Sequence, residues 1–274
     1  MRILSADIGG TNSRFSDVTV NSLSDVVLSE PVIIPTWSET IDSFEQLLQH
    51  YERTRPAGSP VVADFDALSI GIAGAVSGRR ATLPNIPWDI DFTRELPLQN
   101  TYLLNDFIAQ AHGFLDPDIF EKLRSVRPGP GTGPGSIAIV GAGTGHGHAA
   151  QKPVDGERIV VGSEAGHATF AFHGADEKNI EASMLARTGT AWLSGDDVVT
   201  GSGIALIHEA LAGRAESPAR ALTPAASGES PTCRYYARFY ARACRNYCLT
   251  MYPVESLIIS GGIAAKNPHI PLST

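Results

Sequence analysis

Two glycine-rich segments have the composition of turns that bind phosphate, and each follows a short apolar run. The first spans residues 7–12 (DIGGTN) and the second spans residues 141–147 (GAGTGHG). Glycines at the tip of a hairpin let backbone N–H groups approach an anion closely, and Thr144 adds a hydroxyl to the second segment. The second segment matches neither the GxGxxG spacing of dinucleotide-binding proteins nor the P-loop spacing. The first segment could also be a plain β-turn with glycine at a positive φ.

Two carboxylates stand at the end of, or just past, predicted buried strands, where they could act on a phosphate or a hydroxyl. Asp7 ends an apolar run and could hold a metal ion that bridges phosphates. Asp106 follows Asn105 at a strand-to-helix corner, where a carboxylate could accept a proton from a substrate hydroxyl. Asn and Asp are also favoured helix caps, so a purely structural role for Asp106 stays open at this point.

A third polar segment, residues 162–167 (GSEAGH), places Glu164 and His167 three residues apart. A carboxylate and an imidazole at this spacing can both hydrogen-bond a polyol. They could also ligate a metal, although no second carboxylate or histidine cluster stands nearby in the sequence. The structural alternative is a solvated loop.

The elements that must position these segments alternate between strands and helices. Apolar alternation and short apolar runs predict strands at residues 3–8, 13–20, 26–34, 67–72, 101–104, 137–141, 159–161, 168–172 and 257–259. Helical periodicity predicts a helix directly after Asn105 and others at residues 40–53, 178–187, 204–212 and 232–250. Because a strand followed by a glycine turn opens both halves, we predict a duplicated α/β plan.

Composition excludes several classes of protein. Apolar residues make up 43% of the 274 residues and charged residues 18%, which is typical of a globular chain rather than a disordered one. The formal charge is 21 − 29 = −8, which argues against non-specific binding of nucleic acid. Three cysteines without a CxxC spacing argue against a disulfide framework. We expect a cytoplasmic protein without a membrane partner, because the chain shows no signal-peptide pattern and no apolar stretch near the roughly 20 residues of a membrane helix.

As a set, these segments resemble the bacterial glucokinase family. The similarity rests on DIGGTN (7–12), LNDF (104–107), GAGTG (141–145), EAGH (164–167) and ISGGI (259–263), in that family's order and at its approximate spacing. It covers nearly the whole chain. The resemblance implies a two-domain, actin-like (ribonuclease-H-like) α/β ATPase fold with a cleft between the domains. We expect a small domain at 1–108 and a large domain at 109–274.

The resemblance also implies the reaction and the role of each site residue. It implies phosphorylation of glucose at its 6-hydroxyl by ATP with Mg²⁺, with Asp106 as the catalytic base and Asp7 as the metal ligand. The implied sugar-binding residues are Asn85, Asn105, Glu164, His167 and Asp196. The implied nucleotide-binding residues are Asp7, Gly9, Gly10, Thr11, Asn12, Gly143, Thr144, Gly145, Gly261 and Gly262.

The chain departs from the family pattern in two places. Asp196 stands where the family has a sugar-binding Glu, one methylene longer. The chain also ends about a dozen residues after Gly262, so we expect it to lack the family's C-terminal portion. The three cysteines do not match the zinc motif of a related branch of sugar kinases.

Two other classes of function stay open, as does the oligomeric state, for which a homodimer is one candidate. A sugar-responsive regulatory protein of the same fold would keep Glu164 and His167 without needing Asp106. An ATP-driven chaperone or filament module would need neither Glu164 nor His167.

Overall fold

A computed structural model describes residues 1–22, 25–84, 86–129, 133–223, 230–268 and 270. The chain forms two compact units, Met1–Gln110 and Ala111–Thr274. Within the described ranges, no helix is long and apolar enough to cross a membrane.

The strands of the first unit are β1 (Arg2–Ile8), β2 (Asn12–Ser22), β3 (Asp25–Leu28), β4 (Val32–Pro35), β5 (Ala67–Ile72), β6 (Ala75–Ser77), β7 (Arg80–Thr82), β8 (Ile90–Asp91) and β9 (Thr101–Asn105). The main sheet has the strand order β3-β2-β1-β5-β9, with β4 also paired to β2. Strands β6, β7 and β8 form a small separate sheet. The helices are α1 (Phe44–Thr54) and α2 (Asp106–Gly113).

The core of the first unit follows from the side-chain periods of its elements. In β1, Leu4, Ala6 and Ile8 are buried, because alternate residues of a strand share one face. Helix α1 buries one apolar stripe, which includes Phe44 and Leu47, and its N-terminus is capped by Ser43.

The second unit contains the strands β10 (Ser136–Ala142), β11 (His146–Val154), β12 (Glu157–Ser163) and β13 (Val254–Ser260). It has a four-stranded sheet of order β12-β11-β10-β13. Its helices are α3 (Pro117–Glu121), α4 (Gly174–Thr188), α5 (Gly195–Val199), α6 (Gly201–Ala212), α7 (Pro218–Ala221), α8 (Pro231–Thr250) and α9 (Gly262–Lys266). All of β10 is buried, and α8 contributes large aromatic side chains to the same core.

The two units repeat one topological plan. In the first, β1 pairs antiparallel with β2 and parallel with β5. In the second, β10 pairs antiparallel with β11 and parallel with β13. Each glycine-rich segment therefore occupies the same position in its unit, at the turn of the first hairpin.

Two of the predicted strands were wrong in detail, and some of the observed strands were not predicted. The predicted strand 26–34 is two strands, β3 and β4, with Pro31 between them, because proline has no N–H to donate to a ladder. Residues 168–172 form no strand beyond an isolated bridge from Thr169 to Ser194, and their apolar character reflects packing of Phe170 and Phe172 in the core. Strand β11 was not predicted, because its glycine, proline and histidines are not typical of a strand.

Candidate active site

The first glycine turn joins β1 to β2 and is held by a threonine from outside the hairpin. Within the turn, the Gly9 backbone N–H donates to the Asn12 carbonyl oxygen (3.2 Å). Thr36 donates from its hydroxyl to the Gly9 carbonyl (2.6 Å) and from its backbone N–H to the Thr11 carbonyl (3.0 Å). Thr36 is buried, so its two hydrogen bonds to the turn are shielded from solvent. Sequence reasoning missed Thr36, which shares no local motif with the turn.

Asp7 carries an ion pair that sequence reasoning also missed. It lies opposite Arg14 in the β1–β2 register, and Arg14 Nη1 is 3.0 Å from Asp7 Oδ2. Both side chains are about half exposed, so the pair is accessible to a charged ligand. The hairpin pairing was the signal that could have revealed it, because facing residues of antiparallel strands bring their side chains together.

Asn105 caps helix α2 and is tied to a neighbouring loop. Its Oδ1 accepts from the backbone N–H groups of Phe107 (2.9 Å) and Ile108 (3.4 Å). Its Nδ2 donates to the Gly74 carbonyl oxygen (3.0 Å). Because a carboxamide has two donor hydrogens, one N–H of Asn105 remains for a ligand after this contact.

Asp106 is the first residue of α2 and is half-buried. Its Oδ1 accepts from the backbone N–H of Phe107 at 3.0 Å, a local contact within the first helical turn. Asn105 Oδ1 accepts from the N–H groups of both Phe107 and Ile108, so Asn105 is the main cap of α2.

A cavity in the first unit is lined by both Asp7, the predicted metal ligand, and Asp106, the predicted base. Its volume is about 470 Å³, within the range of small-molecule sites. It is lined by Ser5, Ala6, Asp7, Ser69, Gly71, Asp106, Phe107, Ala109 and Gln110. Asp7 lies near the carboxyl end of β1 and Asp106 directly follows β9, and both of these strands pair in parallel with β5, so their carboxyl ends lie at the same edge of the sheet.

The second glycine turn, between β10 and β11, is held at both ends. The Gly143 N–H donates to the Gly145 carbonyl (2.9 Å), which closes the turn. The Gly201 N–H donates to the Gly143 carbonyl (3.1 Å). At the other end, the His146 N–H donates to Asp196 Oδ1 (2.6 Å). Asp196, predicted as a sugar contact, therefore has one carboxylate oxygen engaged by the backbone of this hairpin.

Gly261 and Gly262 lie against this second turn. Gly261 has φ +87°, and a Cβ there would come within 2.5 Å of the Ala142 carbonyl oxygen, so only glycine fits. A Cβ on Gly143 would lie 4.0 Å from the Gly262 nitrogen. The structure thus brings together the two glycine pairs predicted to bind nucleotide, with Thr144 exposed at the tip of the turn.

Glu164 precedes a short 3₁₀ turn (Ala165–His167) whose last residue is His167, and both side chains point outward. His167 Nε2 is 3.6 Å from Glu164 Oε2, and each side chain is about two-thirds exposed. The turn packs closely on β11, because a Cβ on Gly166 would lie 2.1 Å from the His146 carbonyl oxygen. The two side chains are therefore presented together from a rigid base.

His146 and His148 lie buried beneath this turn, with ring centroids 4.2 Å apart. Burial lowers the pKa of His146 to about 4, against a weaker raising effect of its contact with the Gly141 carbonyl. Burial, together with the neighbouring His146, lowers the pKa of His148 to about 3. Both rings are therefore neutral at physiological pH.

Asn85, predicted as a sugar contact, lies outside the described residues. The described site residues fall into two sets. Asp7, Asn105 and Asp106 belong to the first unit, and Glu164, His167 and Asp196 belong to the second.

Comparisons with known proteins identify relatives of the chain. A family model described as Glucokinase matches residues 4–271. A glucokinase of Campylobacter jejuni subsp. doylei (strain ATCC BAA-1458 / RM4099 / 269.97) is 30% identical, and the match covers 96% of this chain and 79% of that protein. The bifunctional protein glk of Paraburkholderia xenovorans (strain LB400) is 30% identical, and that match covers 77% of this chain and 31% of that protein.

The fold agrees as well. The crystal structure of a glucokinase from an Antarctic psychrotroph superposes with a TM-score of 0.75 at 24% identity, covering 100% of this chain and 86% of that one. This match confirms the predicted actin-like α/β fold. Because the family model spans nearly all of the chain, and a glucokinase at 30% identity aligns over most of its own length, the chain belongs to the glucokinase family.

Proposed function

We propose that this protein transfers the γ-phosphoryl group of ATP to the 6-hydroxyl of glucose, forming glucose 6-phosphate and ADP. The observation that carries the proposal is the cavity of the first unit, which Asp7 and Asp106 line together. A kinase of this kind needs one carboxylate for the acceptor hydroxyl and one near the phosphates. Membership of the glucokinase family supports the choice of sugar and donor.

Asp106 is the proposed catalytic base. Its carboxylate accepts the proton of the 6-hydroxyl while that oxygen forms a bond to the γ-phosphorus. The bond between the γ-phosphorus and the oxygen bridging to ADP breaks, and the electron pair leaves with ADP. Asp106 is the first residue of α2, so its carboxylate lies at the N-terminal end of that helix.

The sugar is held by polar groups that match its hydroxyls, because buried hydroxyls need partners. Glu164 supplies acceptors and His167 an imidazole from the 3₁₀ turn, and Asn105 supplies its remaining N–H. By the resemblance, Asn85 stays a proposed sugar contact, and sugar contact by Asp196 stays the alternative to a positioning role through its bond to the His146 N–H.

The glycine turns of the two hairpins are the proposed nucleotide-binding segments. Backbone N–H groups of residues 9–12 and 143–145 are the proposed phosphate ligands, and Gly261 and Gly262 the proposed adenosine contact. Mg²⁺ is commonly bound through one or two carboxylates together with substrate phosphates, and Asp7 in the shared cavity fits that pattern. When bound, the ion neutralises charge on the phosphates.

We further propose that the enzyme acts in the cytoplasm, in glycolysis, and we keep a homodimer as its candidate assembly.

A coupled assay with MgATP and a panel of sugars tests the proposal. We expect ADP release that depends on glucose, with little turnover of N-acetylated hexosamines. Glucose binding by calorimetry without turnover would favour the regulatory alternative. ATP hydrolysis that is equally fast without sugar would favour a chaperone or filament role. Equal or faster turnover of an N-acetylhexosamine would contradict the substrate assignment.

A further inference from the structure

Asp196 is held within the second unit by the hairpin that carries the second glycine turn. Its Oδ1 accepts from the backbone N–H of His146 at 2.6 Å, across 50 residues of sequence. His146 is the first residue after the turn and is buried, so this charge-assisted bond is shielded from solvent on the hairpin side.

One short segment, residues 196–201, forms hydrogen bonds at both ends of the turn. Asp196 holds its far end through His146, and the Gly201 N–H holds its near end through the Gly143 carbonyl (3.1 Å). Asp196 lies within the five-residue helix α5, and Gly201 is the first residue of α6, which follows it. Asp196 Oδ1 is also the nearest atom that a Cβ on Gly145 would meet, at 3.4 Å. The carboxylate therefore lies directly against the turn.

Helix α5 is itself fixed, so Asp196 is not free to swing. Ser194 and Asp197 form a reciprocal capping box at its N-terminus, with Ser194 Oγ accepting from the Asp197 N–H at 3.1 Å. The Gly195 N–H donates to the Ala168 carbonyl (3.0 Å), and a Cβ on Gly195 would lie 2.9 Å from the Gly166 carbonyl oxygen. A side chain on such a base presents its acceptor in one place.

We propose that Asp196 is a positioning residue for the phosphate-binding turn at 143–145, acting through the His146 N–H. It sets the direction of the turn's backbone N–H groups and so controls nucleotide affinity. This rests on the proposed function in taking a nucleotide as the ligand of the turn. It differs from the role of sugar contact that the family resemblance implies for this position, and the two roles predict changes in different constants.

Calorimetry with MgADP as the probe tests the proposal on the full chain. Asp196→Ala removes the acceptor and should weaken MgADP binding by about tenfold or more, the scale of one hydrogen bond to a charged group. Asp196→Asn keeps an Oδ1 acceptor and should stay within about threefold of the unsubstituted protein. Asp176→Asn, which removes an exposed carboxylate from the first turn of α4, is the matched control and should change nothing.

Steady-state kinetics separates this role from direct sugar contact. We expect Asp196→Ala to raise KM for ATP much more than KM for glucose. Unchanged MgADP affinity with a raised KM for glucose would overturn the proposal and leave Asp196 as a sugar contact. If Asp196→Ala does not fold, Asp196→Glu provides the same comparison, because its longer side chain cannot keep the 2.6 Å contact unless the turn moves.

Failure of the proposed function has a different signature. A chain that binds MgADP with this pattern of variants, but does not phosphorylate glucose, would refute the glucokinase reaction and support the role of Asp196. A chain that does not bind MgADP would refute the role of Asp196.

Discussion

Asn105 Oδ1 lies 2.9 Å from the backbone nitrogen of Phe107, so the residue before Asp106 supplies the cap of α2. The two neighbouring side chains therefore have different tasks. Asn105 fixes the strand-to-helix corner, and Asp106 presents a carboxylate to the cavity of the first unit. This division makes the proposed base testable without unfolding the helix.

Replacing Asp106 by Asn should abolish proton acceptance and leave the fold intact. We expect kcat to fall by about 10² to 10⁴, the usual contribution of a general base. The free energy of unfolding should change by less than about 1 kcal/mol, because Asn105 keeps the cap and only a charge near the helix N-terminus is lost. Turnover and melting temperature are measured side by side. A nearly normal kcat would show that the base lies elsewhere.

Replacing Asn105 by Ala, unlike replacing Asp106 by Asn, should lower the stability of the protein. The variant loses the cap of α2 and the bond to Gly74, so we expect the free energy of unfolding to fall by about 1 to 3 kcal/mol. Urea denaturation measures this change. Asn105→Asp is the control, since it keeps the cap but loses the N–H donor, and it should lie between Ala and the unsubstituted protein. Equal stability of Asn105→Ala and the unsubstituted protein would contradict the capping role.

Replacing Asp7 by Asn should weaken use of Mg²⁺ specifically. The half-saturating Mg²⁺ concentration should rise about tenfold or more, because a neutral amide is a weaker ligand for a hard cation than a carboxylate. The KM for glucose should change little. Asp91→Asn is a matched control, because Asp91 is also an exposed partner of an arginine, Arg80, at 3.0 Å. If Asp91→Asn shifts the Mg²⁺ requirement as much as Asp7→Asn does, the metal assignment is wrong.

The buried histidines predict a loss of stability in mild acid. Burial lowers the pKa of His146 to about 4 and that of His148 to about 3, below the ordinary 6.5 of the unfolded chain. The unfolded state therefore binds more protons below pH 6.5, and the free energy of unfolding falls as the pH falls toward these folded values. Between pH 7.5 and 5.5 the two histidines together should cost about 3 kcal/mol, at 1.36 kcal/mol per pKa unit.

Urea denaturation at several pH values between 7.5 and 5.5 measures this dependence. In His148→Gln one of the two titrating groups is gone, so the fall in this window should be about half as large. A fall of the same size in the variant would show that other groups cause the acid sensitivity.

Much of the first unit could be predicted from the sequence. The strand at 67–72 was predicted with its observed bounds, because Leu68, Ile70 and Ile72 alternate with smaller residues over its whole length. The chain's place in the glucokinase family also followed from short motifs, each readable over a few residues.

Other features could not be predicted, because they depend on contacts between distant parts of the chain. Strand β11 forms because it pairs with β10 and β12 on both sides, which compensates for residues of low strand propensity. Residues 168–172 have an apolar composition compatible with a strand, yet Phe170 and Phe172 pack against Phe239 of α8 instead.

The sequence by itself determined where the chain turns and what chemistry each turn offers, because glycine freedom and apolar alternation act over a few neighbouring residues. Only the tertiary structure decided which groups those turns engage. It joined Asp7 to Arg14, Thr36 to Gly9 and Asp196 to His146. The partners in these pairs are up to 50 residues apart in sequence, and strand register and helix packing bring them together. A hydrogen bond forms only where that packing brings its two atoms within about 3 Å.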